Sequence, residues 1–335
     1  MKLTFFEKTA LLINIPLLIF QLMLMGSIPS FFEFSILNLF VPALVLINVG
    51  FFLYWLLKMK WPFLLFMLTF LIGYGEWGLL YQFPRNAVRM DANTLKVMTY
   101  NVRLFNRYGW IKEVDVPKRI ENFIDQEQPD IVCLQEYSKS EAPEFSSYPY
   151  RYVQPIQSNG KSGVAILSKF PIINSGYINF DNSTNSGIFS DIEHRGKMAR
   201  IYNLHLESLR IDFQDTLITK VNSEELQLKF NQVFKMQLNQ IRQFQEIDNE
   251  NNYPSIICTD LNNSQFSKIY RTLKENHLDT FVEAGTGLGT TFNFSFFPLR
   301  IDFIFTDPSF KVNTFNSYDI ELSDHLPIIT TLAWD

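Results

Sequence analysis

Between Thr9 and Ile28, and again between Phe34 and Leu57, the chain carries no charged side chain. A helix crosses the hydrocarbon core of a bilayer with about 20 consecutive apolar residues, and each run has that length. A third run starts at Trp61 and stays uncharged as far as Gly75 before meeting Glu76. Trp61, Trp77 and Tyr81 lie near its ends, where an interfacial aromatic belt would sit. The pattern predicts three transmembrane helices, at about 9–28, 34–57 and 61–81, in an anchor covering residues 1–90. Three such runs joined by short loops argue against a buried helical domain of a soluble protein. No small-residue cleavage pattern follows the first run, which argues against a removed signal peptide.

Lysine placement orients the anchor. Lys2 and Lys8 precede the first run, the loop Pro29–Glu33 has no Lys or Arg, and the next loop carries Lys58 and Lys60. The positive-inside rule puts the N-terminus and the second loop in the cytoplasm. Three spans then carry everything after Pro84 outside it, as in an integral protein of a bacterial inner membrane with an extracytoplasmic catalytic domain. If Glu76 stops the third run from crossing, the remainder is cytoplasmic instead.

The whole chain has 335 residues, 47% hydrophobic and 19% charged, which excludes disorder. Its mean hydropathy of +0.01 averages two unlike parts. Six basic residues (Lys2, Lys8, Lys58, Lys60, Arg85, Arg89) and three acidic ones (Glu7, Glu33, Glu76) precede position 91. That leaves 23 basic and 31 acidic residues in 91–335, a net charge of −8 against −5 for the chain. Such a balance disfavours general binding to polyanions unless a metal or a local basic patch compensates. Two cysteines, Cys133 and Cys258, exclude a disulfide scaffold and read as small buried hydrophobes.

Residues 91–335 alternate short apolar strands with amphipathic helices. Strands are predicted at Leu95–Val102, Asp130–Glu136, Gly163–Leu167, Lys197–Leu206, Ser255–Thr259, Arg300–Thr306 and Leu326–Leu332, and helices at Lys118–Gln126 and Glu224–Ile247. This is a layered α/β domain. One pattern recurs: a strand ends and an amide, carboxylate or imidazole follows. Asn101, Glu136, His205, Asp260 with Asn262, Asp302, and Asp324 with His325 all stand this way. Ligands of layered α/β folds gather at strand ends. Carboxylates with oxygen-rich neighbours and no Cys/His cluster suit a hard cation, Mg2+ or Mn2+. Two imidazoles suit charge on a phosphoryl group. Taken singly each residue has a plainer reading. Asp260 alone would be a turn or cap for a helix starting near Ser264.

In order along the chain, TYNVR at 99–103, DIVCLQE at 130–136, GVAILSKFPI at 163–172, NLHLES at 203–208, TDLN at 259–262, RIDFIF at 300–305 and SDHLPI at 323–328 resemble the metal-dependent endonuclease/exonuclease/phosphatase superfamily. Its members include DNase I-like nucleases, abasic-site endonucleases, inositol polyphosphate phosphatases and neutral sphingomyelinases. The resemblance covers roughly residues 95–334. It implies a four-layer α/β/β/α sandwich after the transmembrane segment, and hydrolysis of a phosphoester by in-line attack of water.

Carried over, Glu136 is the principal metal ligand, Asn101 helps hold metal or phosphate, and Asp324 is a second metal-side carboxylate. Asp260 orients or deprotonates the water, with Asn262 positioning Asp260 or the phosphate. His325, held by Asp302, and His205 contact the phosphate. Thr259 departs from the family's usual Gly without removing a functional group. A second acid orienting His205 has no clear counterpart; Glu141, Glu144 and Glu193 are candidates. Lys169 and Arg300 are read equally as phosphate contacts or as strand-end charges. His194 is expected at a hairpin tip and His277 on the surface. Residues 207–230 are expected to be a packing loop, or else to cap the site or face the bilayer.

The expected partners are a phosphoester (nucleic acid, phospholipid or small phosphate ester) and the lipid bilayer, with no obligate protein partner. A sphingomyelinase-like lipid-headgroup hydrolase is the closest alternative. A non-catalytic module keeping the fold ranks below it, because the acids and imidazoles are present.

Overall fold

A computed structural model describes residues 2–28, 37–85, 93–112, 115–155, 162–208, 223–294 and 297–334. The start of the second predicted span (34–36) and residues 209–222 lie outside them. The helical part comprises α1 (Phe5–Met25), a 3-10 turn (Leu37–Phe40) leading into α2 (Val41–Leu57), α3 (Phe63–Ile72) and α4 (Trp77–Leu80). The chain continues as β1 (Thr94–Asn101), α5 (Val116–Glu127), β2 (Ile131–Gln135), β3 (Tyr150–Pro155), β4 (Gly163–Ser168), β5 (Ile172–Asn179), β6 (Ser186–His194) and β7 (Lys197–His205). It then forms α6 (Ser223–Asn249), β8 (Ser255–Asp260), α7 (Lys268–Lys274), β9 (Leu278–Asp279), α8 (Thr280–Ala284), β10 (Phe292–Phe294), β11 (Phe297–Leu299), β12 (Asp302–Thr306), β13 (Lys311–Ser317) and β14 (Ile328–Ala333).

Two six-stranded mixed sheets pack face to face, in the orders β13-β14-β1-β2-β4-β3 and β5-β6-β7-β8-β12-β9. Successive strand residues point to opposite faces, and the apolar runs fill both. Val97, Ile131, Cys133, Val164 and Ile166 face the second sheet, meeting Ile188, Ile201, Ile256, Cys258 and Ile304. Met98, Tyr100, Val132, Leu134 and Leu167 face outward under Ile120 and Ile124 of α5. On the other outer face Tyr202, Leu204, Ile257 and Phe303 lie under α6 and α7. Four layers result. Both cysteines are buried and free, as their apolar strands implied.

α1 starts four residues earlier than predicted. Thr4 forms a capping box with Glu7, which extends the helix to Phe5. Gly26 closes it in the left-handed conformation. The third run is not a continuous helix. α3 stops at Ile72, and α4 leaves at 69° after a turn at Tyr74–Glu76. Gly73 precedes that turn and Gly75 is its middle residue, and both disfavour helix. The charge of Glu76 sits at this bend, within Coulombic reach of Arg271 of α7. A cluster of polar side chains lies buried between α1 and α2, while many apolar side chains face outward. Asn48 Nδ2 donates to Gln21 Oε1 at 2.8 Å, Asn14 Nδ2 donates to Asn48 Oδ1 at 3.2 Å, and Trp55 Nε1 donates to Asn14 Oδ1 at 3.2 Å. Leu12, Leu46 and Leu57 are 75%, 69% and 85% exposed.

Two charged residues have structural work. Arg300 is buried, 2.7 Å from Asp279, with its guanidinium over the Phe281 ring. Removing one partner of a buried pair leaves the other uncompensated. Arg300→Leu should therefore lower the unfolding free energy by about 3 kcal/mol. Denaturant unfolding of the full chain in detergent reads this, and an unmoved midpoint would refute it. His277 is not on the surface. Its ring is 9% exposed, with Nε2 3.3 Å from Asp248 and Nδ1 3.0 Å from the Leu273 carbonyl. Burial pulls its pKa down, but Asp248 and the Leu273 carbonyl outweigh burial and the net shift is upward. A raised imidazole stabilises the fold fully below its unfolded value of about 6.5 and loses that contribution as pH rises through its folded value. His277→Gln should flatten the decline of stability above pH ~6.5. A wild-type slope in the variant would show that His277 is not the titrating group.

Candidate active site

Two parallel strand pairs bring the polar residues to one edge. β1 and β2 run parallel and end side by side at Asn101 and Gln135, with Glu136 next. β7 and β8 run parallel and pair His205 with Asp260, and antiparallel β12 begins by pairing Asp302 with Asp260. His205, Asp260 and Asp302 thus form one row across the second sheet, opposite Asn101 and Glu136 on the first. Asp260 is at the centre and fully buried. Its Oδ2 accepts from Asn101 Nδ2 at 3.0 Å and lies 3.7 Å from His205 Nε2 and 3.8 Å from His325 Nε2. Its Oδ1 accepts from the backbone N–H of Asn262 at 2.8 Å. The turn expected from the plainer reading of Asp260 is therefore present, but the helix that follows starts at Lys268 and is capped by Ser267.

His325 Nδ1 sits 2.9 and 3.1 Å from the two oxygens of Asp302. Asp302 is raised to about 6, chiefly by burial and against the His325 charge. Burial lowers His325, but the Asp302 and Asp260 carboxylates overcome it and lift it to about 10. The imidazole is thus a cation at neutral pH. Asp260, Asp302 and His325 place three buried N/O atoms within 4.8 Å of one another; the two carboxylates can face a divalent cation as they stand, whereas His325 could ligate one only after losing its proton. Glu136 is half-buried and accepts from Asn101 Nδ2 at 3.3 Å. Asn101 therefore donates to both Glu136 and Asp260. Asp324 lies at the rim, its Oδ2 3.2 Å from Arg103 Nε. Asn262 Nδ2 is turned to the Leu206 carbonyl at 3.1 Å.

Not every predicted residue converges. Lys169 is at the far end of the first sheet, donating to the Gln128 carbonyl and 3.9 Å from Asp130. Arg300 points to Asp279. Both are structural charges. No acid holds His205: its buried Nδ1 has no partner among the described residues. His194 ends β6 beside the Arg195–Gly196 turn, as expected. Residues 209–222 of the segment after His205 lie outside the described residues, and α6 begins at Ser223.

Several contributors stand outside the predicted site residues. Gln135 Nε2 donates to Asn203 Oδ1 at 2.7 Å, and Asn203 Nδ2 donates to the Leu134 and Ala165 carbonyls, pinning the two sheets together below the site. The Thr291 hydroxyl accepts the N–H of Asp302 at 3.0 Å. Ser323 Oγ donates to the Asn101 carbonyl at 2.8 Å. Arg103 to Asn106 all have positive φ, as do Glu136 (49°) and Asn262 (49°). Left-handed backbone costs about 1–2 kcal/mol per non-glycine residue, and such strain collects at working sites. Here it aims groups: Arg103 N–H reaches Asn101 Oδ1 at 3.0 Å, and Leu104 N–H reaches the Glu136 carbonyl at 2.9 Å.

Residues 98–325 match the model of the endonuclease/exonuclease/phosphatase family. No curated protein sequence matches the chain. Solved structures of similar fold include an endonuclease/exonuclease/phosphatase family protein from Bacteroides thetaiotaomicron, 20% identical over 73% of this chain and 100% of that one, with a TM-score of 0.56. A mannosyl-6-phosphatase from B. thetaiotaomicron VPI-5482 is 20% identical over 72% and 100%, with a TM-score of 0.55. The human Nocturnin catalytic domain with bound sulfate is 18% identical over 75% and 97%, with a TM-score of 0.54. The family match spans every strand end that carries the acids and imidazoles, and it turns the geometry into chemistry: this chain belongs to the endonuclease/exonuclease/phosphatase family and is a metal-dependent hydrolase of phosphoesters.

Proposed function

We propose that the chain is a membrane-anchored phosphoesterase using Mg2+ or Mn2+, with residues 1–90 as a three-span anchor and 91–335 as the catalytic domain. The observation that carries it is the meeting of Glu136, Asn101, Asp260 and His325 around one point, with Asp302 behind the imidazole. The donor set fits a hard cation. It is oxygen-rich, and Asn101 supplies the one hydrogen bond to the Glu136 carboxylate among the described residues. Glu136 would be the principal ligand, with Asn101 and Asp324 beside it. When bound, the cation neutralises phosphate charge and polarises the phosphorus–oxygen bond. Asp260 is held by the Asn262 N–H and takes the proton of the attacking water. The His325 imidazolium, fixed by Asp302, and His205 bind the phosphate oxygens where charge develops.

Two features support the anchor. Candidate spans at Phe5–Met25 and Leu37–Leu57 turn apolar side chains outward, and only 33% and 28% of their apolar windows are buried. Glu7 and Lys60, 3.6 Å apart, join the start of α1 to the α2–α3 turn, where Lys2, Lys8 and Lys58 also gather. The catalytic domain meets the other ends of these helices. The positive-inside rule then puts that domain outside the cytoplasm. A reporter fused after Phe83 should be active only outside; a cytoplasmic signal would refute this topology.

The full chain in detergent should hydrolyse at least one of plasmid DNA, single-stranded RNA, sphingomyelin, phosphoinositides or bis-p-nitrophenyl phosphate. EDTA should abolish that turnover, and Mg2+ or Mn2+ should restore it. Turnover indifferent to EDTA would defeat the metal assignment. Membrane attachment and the net −8 of the domain favour lipid or small phosphoesters over nucleic acid.

A further inference from the structure

The loops that carry the catalytic groups are fastened to the helical part. Asp260 and Asn262 open the 260–267 loop. In that loop Ser264 Oγ donates to the Asn38 carbonyl at 3.1 Å, and Gln265 Nε2 donates to the Leu79 carbonyl at 3.2 Å. Both side chains are buried. Phe266, fully buried, shares a core with Met25, Val41, Leu44 and Leu79. Asp302 follows Arg300 by two residues, and Arg300 Nη2 also reaches the Leu79 carbonyl, at 3.4 Å. That carbonyl lies in the last turn of α4, where helical partners run out, and the catalytic domain supplies its donors.

The third tie passes through Thr291. Its hydroxyl accepts the N–H of Asp302, and its carbonyl accepts the N–H of Leu326, the residue after His325, at 2.6 Å. The chain leading to Thr291 is stitched to the helical part at Gly287. Gln82 N–H donates to the Gly287 carbonyl at 2.9 Å, and Gly287 N–H returns to the Gln82 carbonyl at 2.8 Å. Arg85 Nη1 adds a bond to the Glu283 carbonyl at 2.6 Å. A plain tether would need none of these contacts. Buried hydrogen bonds and packing hold their partners within tenths of an ångström, and in-line displacement depends on that order of placement.

We infer that the helical part is a working wall of the catalytic centre: through Asn38, Leu79 and Gln82 it sets the positions of Asp260, Asp302 and His325, with Ser264 and Gln265 as positioning residues. The inference rests on the roles given above to those three catalytic groups. Loosening the wall lowers turnover and leaves substrate affinity in place.

The test uses the full chain in mild detergent with bis-p-nitrophenyl phosphate, a soluble substrate that removes any effect of membrane presentation. Gln265→Glu keeps the size of the side chain but sets a carboxylate against the Leu79 carbonyl. Gln82→Pro deletes the N–H given to Gly287 from the helical side. Tyr81 before it is already extended (φ −147°, ψ 131°), as a residue preceding proline must be. In Ser264→Ala, Gln265→Glu and Gln82→Pro, kcat should fall about tenfold or more while KM stays within about twofold. Ser264→Thr, which keeps the hydroxyl, should hold wild-type kcat. Amide hydrogen exchange should quicken in residues 260–267 of Ser264→Ala and Gln265→Glu and in residues 285–291 of Gln82→Pro, and stay unchanged in β1 and β2 in all three.

Wild-type kcat in both Gln265→Glu and Gln82→Pro overturns the inference. So does equal loss in Ser264→Thr and Ser264→Ala, or exchange that quickens across the whole domain. A wild-type chain without turnover under Mg2+ or Mn2+ refutes the phosphoesterase reading instead, and the exchange comparison then decides the wall on its own.

Discussion

Replacing Asp260 by Asn should lower kcat on bis-p-nitrophenyl phosphate by about 10³-fold, within the range of 10²–10⁴ for losing a positioned general base. The substitution keeps the shape and the Asx turn. Asn262 N–H can still donate to the side-chain oxygen that replaces Oδ1. What disappears is the capacity to take a proton, together with a negative charge facing two imidazoles at 3.7 and 3.8 Å. Asn101 loses the carboxylate that its amide now bridges to Glu136. Part of the loss will therefore come from weaker order at the metal side. The two parts separate experimentally. If Asp260 acts on the water, the deficit remains at saturating Mg2+ or Mn2+. If it only organises the cation, excess metal restores most of the rate. A variant within about threefold of wild type would remove Asp260 from the mechanism altogether.

Asp260 was legible in the sequence because an apolar strand, Ser255–Thr259, runs straight into it. The same holds for Asn101, Glu136 and His205. Each ends a strand whose two faces are both covered, so the apolar run is unbroken and its polar stop is conspicuous. What the sequence does not encode locally is register. That His205, Asp260 and Asp302 form a single row follows from two strand pairings, His205 with Asp260 and Asp260 with Asp302, between residues distant in the sequence. Thr291 escapes notice because its hydroxyl serves a backbone N–H eleven residues away. The left-handed run Arg103–Asn106 contains no glycine to announce it. The third apolar run misled in a different way. Hydropathy reports length and polarity, and neither reveals that Gly73 and Gly75 let the helix bend. That bend delivers Leu79 to the Gln265 side chain. Lys169 and Arg300 show the converse limit. Both stand beside motif residues in sequence, yet one lies at the opposite end of its sheet and the other is consumed by Asp279.

The second large effect concerns Asp302 and His325, which should behave as one unit. If His325 donates to the phosphate as proposed, His325→Gln should cost about 10²–10³ in kcat. Asp302→Asn leaves the imidazole in place but takes away the carboxylate that holds Nδ1 at 2.9 Å and contributes most to its upward shift. Burial, which opposes the charge, then has the larger say. The imidazole should titrate well below about 10, and the alkaline limb of the kcat profile should move toward neutral pH. At low pH, where the imidazole is protonated in either protein, the Asp302→Asn deficit should shrink. His325→Gln has no such proton to recover, so its deficit should be flat at low and neutral pH and should shrink only along the wild-type alkaline limb, where the wild type loses the same charge. Because the carboxylate acts through the imidazole, the double variant should be about as slow as His325→Gln alone, not slower by the product of the two losses. Multiplicative losses, or an alkaline limb that does not move in Asp302→Asn, would separate the pair and leave Asp302 as a buried structural acid supported by the Thr291 hydroxyl at the start of β12.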